Sequence, residues 1–338
     1  MNRLRVLFCQ QQFAPGKTWE ALGSTVFKNH DIKACSADQV EDTLQSFKPH
    51  VLVPWWHPLP RRIIEKAPPS LGLIQQFGVG LDNVDVDACT ENGIWVARLA
   101  SQSTGNADSV AEHAILLMLA LSRRLTTSMN IVKEGKPYGS LCGTSLMGKR
   151  VAVAGLGDIG VAVVKRLEGW GMDVVAVRKN VNANIPRGIR PGTISRVYSL
   201  DELPKVVSSC NFTVCAIKYD RKENRHLFGR ELFSKFNGST FINVARGGLV
   251  DEAALYQALE NGSVGQAGLD VFEKEPLPVS SPLQDHPNVV LTSHNAGVTD
   301  LFYEQGTKAF ARNCDSFANG RLVQFGVNRP THPRVQLS

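Results

Sequence analysis

Apolar residues along this chain come in short runs separated by polar segments of helical periodicity, a pattern that predicts alternating strands and helices. The clearest case runs from Val151 to Val177. Val151-Ala-Val-Ala154 predicts a buried strand, and Gly155-Leu-Gly157-Asp158-Ile159-Gly160 follows directly. A helix comes next, with Ile159, Val163, Val164, Leu167 and Trp170 on one face and Gly171 ending it. Val174 to Val177 then gives a second buried strand. In the first hundred residues the runs are Val6–Cys9, Thr18–Phe27 (helical), Val51–Pro54, Ile63–Lys66, Leu73–Phe77 and Ile94–Ala97. Such alternation predicts α/β layers around a parallel sheet.

A long helix is expected to open with a capping box at Ser109-Val-Ala-Glu112 and to continue past Arg124. Its apolar middle, Ala114–Leu121, predicts burial on most sides and a position between two domains. A second α/β unit should hold strands near 151, 174, 211–217, 240–245, 266–271 and 289–293, with another capping box at Ser199–Glu202. Thr299 should cap a last helix, Leu301–Ala318, that returns the chain to the first domain, and the Pro-rich tail after Gly320 is expected to fray. The domains expected are 1–100 plus 300–338, and 101–299.

Composition changes this picture little. A chain of 338 residues suggests two domains, and 43% hydrophobic with 20% charged residues is ordinary for a globular protein. The formal charge of +6 suits anionic small molecules, but its Lys and Arg residues are scattered, which argues against nucleic acid. Seven cysteines form no CxxC pair, as expected of reduced thiols in a cytoplasmic protein. The start carries too short an apolar run for a signal peptide, no stretch is long enough to span a membrane, and no metal ligand set is assigned.

The glycine-rich segment carries the first chemistry. Between a strand and a helix, Gly155 permits a tight turn, Gly157 lets backbone approach a pyrophosphate, and Gly160 lets helix and strand pack closely; Asp158 and Ile159 complete the loop. At the tip of the second strand an NAD site normally carries a carboxylate for the ribose hydroxyl. Arg178 and Lys179 stand there instead, so NADP is expected in preference to NAD.

Three later stretches occur in order: Ile242-Asn-Val-Ala-Arg246-Gly-Gly-Leu-Val-Asp251-Glu252, Leu269-Asp270-Val-Phe-Glu-Lys-Glu275-Pro, and Leu291-Thr-Ser-His294-Asn-Ala-Gly297. With Gly78-Val79-Gly80-Leu-Asp82-Asn83 and the glycine loop, the chain resembles the D-isomer-specific 2-hydroxyacid dehydrogenase family over nearly its whole length. The resemblance implies an arginine for the substrate carboxylate (Arg246), a glutamate (Glu275) and an acid/base histidine (His294). It also implies an α/β fold of two doubly wound parallel-sheet domains, a Rossmann nucleotide domain inserted into a flavodoxin-like substrate domain, and a homodimer.

These residue types suit the chemistry on their own terms. Hydride addition to a 2-oxo carbon leaves negative charge on the carbonyl oxygen, and a histidine can protonate it near neutral pH. A neighbouring carboxylate orients the ring and favours imidazolium, and a guanidinium grips the substrate carboxylate in a two-pronged contact. Backbone amides of Val79 and Gly80 are candidates for its other oxygen. Asp270 reads either as a partner of the nicotinamide carboxamide, as the resembling position does, or as a strand-end acid. Asp82, Asn83 and Asp85 read as turn and cap residues, Asp251 and Glu252 as a helix start, His113 as an ordinary helix residue, and His30, His50, His57, His226, His286 and His332 as structural.

Several positions depart from the family pattern. Ser293 replaces a common proline, which predicts a less fixed loop before His294. Lys218-Tyr-Asp-Arg221 replaces a His-x-Pro-Leu turn on the adenine side, where Lys218 would assist Arg178. Trp55 and Trp56 follow the third strand, either lining a pocket for a bulky or apolar substrate side chain or packing at a domain interface.

The function expected is NADPH-dependent reduction of a 2-oxoacid to the D-2-hydroxyacid. The alternatives are a phosphoglycerate-type dehydrogenase, a formate dehydrogenase, similar over Asn106–His113 and placing Asn106 at the substrate, and a non-catalytic dinucleotide-sensing corepressor. Glu275 argues against formate dehydrogenase, which has glutamine there.

Overall fold

The computed structural model describes residues 3–10, 22, 26, 28–139 and 141–338; the helix expected over Thr18–Phe27 lies outside the described residues. The chain divides into two compact units, residues 1–106 with 299–338, and Ala107–Val298.

In the first unit, β1 (Arg5–Phe8), β2 (Asp31–Ala34), β3 (Val51–Val53), β4 (Leu73–Gln75) and β5 (Trp95–Ala97) form a parallel sheet in the order β2-β1-β3-β4-β5. Alternate residues enter opposite cores: Val6 and Phe8 join Phe310 and Phe317 of the helix Asp300–Ala318, and Leu7 and Cys9 join Leu44, Ile63 and Ile64 on the other face. Burial on both faces is why the central strands read as continuous apolar runs. Strand β2, Asp31-Ile-Lys-Ala34, escapes that reading because it is an edge strand with exposed, charged alternate positions. Thr299 caps the last helix as expected, its hydroxyl accepting the Phe302 N–H at 3.2 Å.

The tail does not fray. Asn328 accepts the Val96 N–H at 2.7 Å, Trp95 Nε1 donates to the Val335 carbonyl at 2.9 Å, and the Arg334 guanidinium donates to the carbonyls of Asn92 at 2.7 Å and Pro68 at 2.9 Å. Its polar residues satisfy backbone groups of β5 and of neighbouring segments of the same unit, which composition alone does not reveal.

In the second unit, β6 (Arg150–Ala154), β7 (Asp173–Val177), β8 (Ile194–Tyr198), β9 (Phe212–Cys215), β10 (Ser239–Asn243), β11 (Val264–Leu269) and β12 (Val289–Leu291) form a seven-stranded sheet among the described residues. Its order is β12-β11-β10-β9-β6-β7-β8, with every pair parallel. The order reverses between β6 and β9, the switch point at which doubly wound sheets open a crevice for ligands. Strand β8, polar at the sheet edge, again had no apolar signature.

The long helix differs from expectation in three ways. It starts at Asn106, so Ser109 is buried within the helix and does not stand at its N-cap; Glu112 is exposed and pairs with Arg166 at 2.9 Å. It stops at Ser122, and Leu125–Lys133 forms a separate helix bent from it by 58° after Arg124 enters the left-handed region at φ 49°. Its buried face, including Ala114, Met118 and Leu121, belongs to the core of the second unit with Val151, Val153 and Val163. The helix Asp158–Leu167 buries Val163, Val164 and Leu167, but it ends before Trp170, which is 36% exposed. The capping box at Ser199 is formed, with Glu202 accepting the Ser199 N–H at 3.0 Å. Among the described residues no single helix is long and apolar enough to cross a membrane.

Candidate active site

The nucleotide loop sits at the carboxyl end of β6. Gly155 has φ 100°, and a Cβ on it would lie 2.5 Å from the Ala216 carbonyl oxygen of the segment after β9. A Cβ on Gly160 would lie 1.9 Å from the Gly155 oxygen, whereas one on Gly157 would meet nothing within 4 Å. The first and third glycines are therefore required by the chain's own packing, and the second faces open space at the switch point. With the N-terminus of the helix Asp158–Leu167 beside it, this cradle fits a dinucleotide pyrophosphate. Asp158 is exposed in the first helical turn, and Ile159 packs against the core.

At the end of β7 the Arg178 guanidinium donates to the carbonyls of Asn184 at 3.2 Å and Val181 at 3.5 Å, while the exposed Lys179 pairs with Glu223 at 3.1 Å. Arg178 thus organises the loop that follows it. The segment after β9 is shaped by Asp220, which accepts the Lys222 N–H at 2.8 Å, and leaves Lys218 exposed.

Three strand ends of the same sheet build a second cluster. After β10, the fully buried Asn243 donates to the Arg246 carbonyl at 3.0 Å and accepts the Ala245 N–H at 3.1 Å, which shapes the turn that presents the half-buried Arg246. A Cβ on Gly247 would lie 1.8 Å from the Phe272 carbonyl carbon, so glycine there lets the Phe272–Glu275 turn after β11 cross against the arginine turn. Glu275 accepts the Phe272 N–H at 3.0 Å through Oε1 and lies 2.7 Å from His294 Nδ1 through Oε2. Burial works against its charge, but the hydrogen bond and charge of His294, the Phe272 amide and the Arg246 guanidinium together hold its carboxyl below the usual carboxylate value.

His294, beyond β12, has φ 52°, a conformation a non-glycine residue keeps only when its surroundings impose it. They are imposed by Asp270, 1% exposed. Its Oδ1 accepts the Thr292 hydroxyl at 2.6 Å and the Asn295 N–H at 3.0 Å, and its Oδ2 accepts the Ala296 N–H at 3.0 Å. The loop with Ser293 in place of proline is therefore fixed by hydrogen bonds from both sides of His294. His113, read from sequence as an ordinary helix residue, reaches the same network, with Nε2 2.8 Å from the Thr292 hydroxyl and 3.6 Å from Asp270. Nothing local marks it, because its partners lie far along the chain.

In the first unit the Gly78–Gly80 loop is latched by side chains that sequence reasoning passed over. Gln76 Nε2 donates to the carbonyls of Trp55 at 3.0 Å and Gly80 at 3.1 Å, and Arg98 donates to that of Val79 at 3.0 Å. Asn83 ties the Trp55 and His57 carbonyls at 2.9 and 2.8 Å, and Asp85 caps a helix, as expected of turn and cap residues. Trp55 packs within its own unit, its ring centroid 5.6 Å from Phe77 and 6.4 Å from Tyr303, while Trp56 is 52% exposed. Asn106 accepts the Ser101 hydroxyl at 3.2 Å.

Residues 115–296 match the family model described as D-isomer specific 2-hydroxyacid dehydrogenase, NAD binding domain. The chain is 34% identical over 279 residues to D-3-phosphoglycerate dehydrogenase of Methanocaldococcus jannaschii, covering 82% of this chain and 51% of that one. It spans about half the length of that and other phosphoglycerate dehydrogenases it matches. It is 33% identical over 269 residues to glyoxylate reductase of Thermofilum pendens, covering 78% of this chain and 76% of the relative. A solved NADPH-dependent glyoxylate/hydroxypyruvate reductase of Sinorhizobium meliloti, in complex with NADP and malonate, superposes with a TM-score of 0.80 at 26% identity, over 99% of both chains. The glycine cradle, the strand orders and these matches agree: this chain belongs to the D-isomer-specific 2-hydroxyacid dehydrogenases, oxidoreductases with an NAD(P)-binding Rossmann domain.

Proposed function

We propose that this protein reduces a 2-oxoacid to the D-2-hydroxyacid with NADPH. The observation that carries the reading is the His294–Glu275 hydrogen bond beside Arg246, on strand ends of the sheet that also bears the glycine cradle. When bound, the reduced nicotinamide supplies the hydride. Glu275 holds Nδ1 of His294, and Nε2 is assigned to deliver the proton to the substrate carbonyl oxygen. Arg246 binds the substrate carboxylate and polarises the carbonyl; Val79, Gly80 and Asn106 are assigned to substrate contacts, with the Val79 and Gly80 carbonyls already engaged and their N–H groups the proposed donors.

Gly155, Gly157, Asp158, Ile159 and Gly160 are assigned to the dinucleotide, and Arg178 with Lys179 to its 2'-phosphate. The NADPH dependence stated for the Sinorhizobium meliloti reductase supports this preference. Asp270 is assigned here to positioning the His294 loop, with the carboxamide contact as the second reading. Trp56 is the residue of its pair suited to a bulky or apolar substrate side chain. We place the enzyme in the cytoplasm as a homodimer. The helix Leu125–Lys133 buries none of its residues and leaves Leu125, Met129 and Val132 exposed, a face suited to a second copy.

The test is consumption of NADPH and NADH across a panel of 2-oxoacids from glyoxylate and hydroxypyruvate to aromatic acids, with phosphohydroxypyruvate included. Turnover with NADPH preferred supports the reading. Turnover of phosphohydroxypyruvate alone moves it to the phosphoglycerate type, and no turnover on any acid overturns it in favour of a binding module.

A further inference from the structure

A second group of ionisable residues meets the turn that carries Glu275. Glu252 opens the helix Glu252–Glu260, and its Oε1 accepts the N–H of Glu273 at 2.7 Å. Glu273 in turn meets His226, and Arg225 lies 3.7 Å from it. The Phe272–Glu275 turn is thus held at its first residue by Glu275 itself and at its second by Glu252 and His226.

Sequence reading makes Glu252 a helix-start residue, but the cap of that helix is supplied by Asp251, which accepts the Ala254 N–H at 2.9 Å. Glu252 is therefore free of the cap role, and its carboxylate is directed to the turn. The charged groups that face Glu275 are His294, Arg246 and Glu252, and Glu252 also faces Glu273. Burial and these two neighbouring carboxylates push the Glu252 carboxyl above its usual value, although the Glu273 amide favours its charge.

We propose that Glu252 is a positioning residue for the acid/base pair: its hydrogen bond to Glu273 sets the reach of Glu275 to His294, and its negative charge tunes how tightly that pair holds its proton. The proposal rests on the reading that His294 and Glu275 are the acid/base pair.

The two effects separate by substitution. Glu252→Gln keeps an oxygen that can accept the Glu273 N–H but removes the charge, whereas Glu252→Ala removes both. If Glu252 acts as proposed, Glu252→Ala lowers kcat by roughly tenfold with KM for the oxoacid little changed, the scale expected when a catalytic group is misplaced. Glu252→Gln restores most of kcat, yet shifts the alkaline limb of the pH–rate profile to lower pH, because a proton beside one fewer negative charge leaves more readily.

A Glu252→Gln protein whose alkaline limb stays in place overturns the electrostatic half. A folded Glu252→Ala protein with parental kcat overturns the positioning half. Failure of the underlying reading is seen separately: full turnover in His294→Asn would remove the acid/base pair itself, whatever Glu252 does.

Discussion

Nδ1 of His294 and Oε2 of Glu275 lie 2.7 Å apart, across a sequence gap that spans the whole of β12. The contact commits Nδ1 of the imidazole to Glu275, and the proposed chemistry is assigned to Nε2. His294→Asn is expected to lower kcat by about 100- to 10,000-fold, the usual contribution of a positioned proton donor. NADPH binding, followed by fluorescence titration, should be nearly unchanged. A loss of cofactor affinity as large as the loss of kcat would assign His294 to binding instead.

The same contact makes stability depend on pH. Because the Glu275 carboxyl is held below its ordinary value of 4.5, its contribution is present above that value and is lost as the pH falls through the folded-state value. Its side chain is 32% exposed, so the effect is modest. In Glu275→Gln the fall in Tm between neutral and acid pH should be smaller than in the parent. Parallel Tm curves for the two proteins over that range would show that the carboxyl has no such linkage.

Asp270 accepts the N–H groups of Asn295 and Ala296 through separate oxygens, so an amide in its place must turn a donor toward one of them. Asp270→Asn should therefore cost about 1–3 kcal/mol, the usual penalty for an unsatisfied buried group, measurable by urea unfolding. If Asp270 works by fixing the His294 loop, kcat falls while the NADPH Kd holds. If it instead contacts the nicotinamide carboxamide, the Kd rises with the fall in kcat, and the loop reading is withdrawn.

Arg178 carries the cofactor preference in the proposed reading. Arg178→Asp replaces a phosphate-binding guanidinium with a group suited to a ribose hydroxyl, and the ratio of kcat/KM for NADPH to that for NADH should fall at least tenfold. Since Arg178 also ties the Val181 and Asn184 carbonyls, a circular dichroism melt is needed alongside. An unchanged ratio in a folded variant would move selection to another residue.

Most strands that were legible in the sequence are buried on both faces, such as Val51–Val53 and Arg150–Ala154. Those that were not, β2 and β8, sit at sheet edges, where charged and apolar residues mix. At the candidate site, Arg246, Glu275 and His294 are singled out because the stretches that hold them resemble the motifs of a known family. Their supports are not: Asn243, Gln76 and His113 act through partners brought near only by the sheet and its neighbours, and a lone polar side chain in an apolar stretch carries no sign of where its partner lies. The capping box at Ser199 and the one expected at Ser109 have the same sequence form. The second fails because the helix starts three residues earlier, at Asn106.

The docked tail yields the last prediction. β5 is the edge strand of its sheet, and residues 326–328 cover that edge: Ala97 bridges Gly326, Val327 donates to the Val96 carbonyl at 2.8 Å, and Asn328 accepts the Val96 N–H at 2.7 Å. Asn328 Nδ2 also donates to the Ile94 carbonyl at 2.9 Å. Asn328→Ala would leave the Val96 N–H and the Ile94 carbonyl short of partners at a partly buried site, so a loss of about 1 kcal/mol is expected in urea unfolding. Deleting the residues after Gly320 should do more, because an uncovered edge strand is a template for pairing with another chain. The shortened protein should melt lower and form aggregates that grow with concentration, read by light scattering, and Trp95 fluorescence should shift as its indole loses the Val335 carbonyl. Had the tail no structural role, both proteins would melt with the parent and remain dispersed.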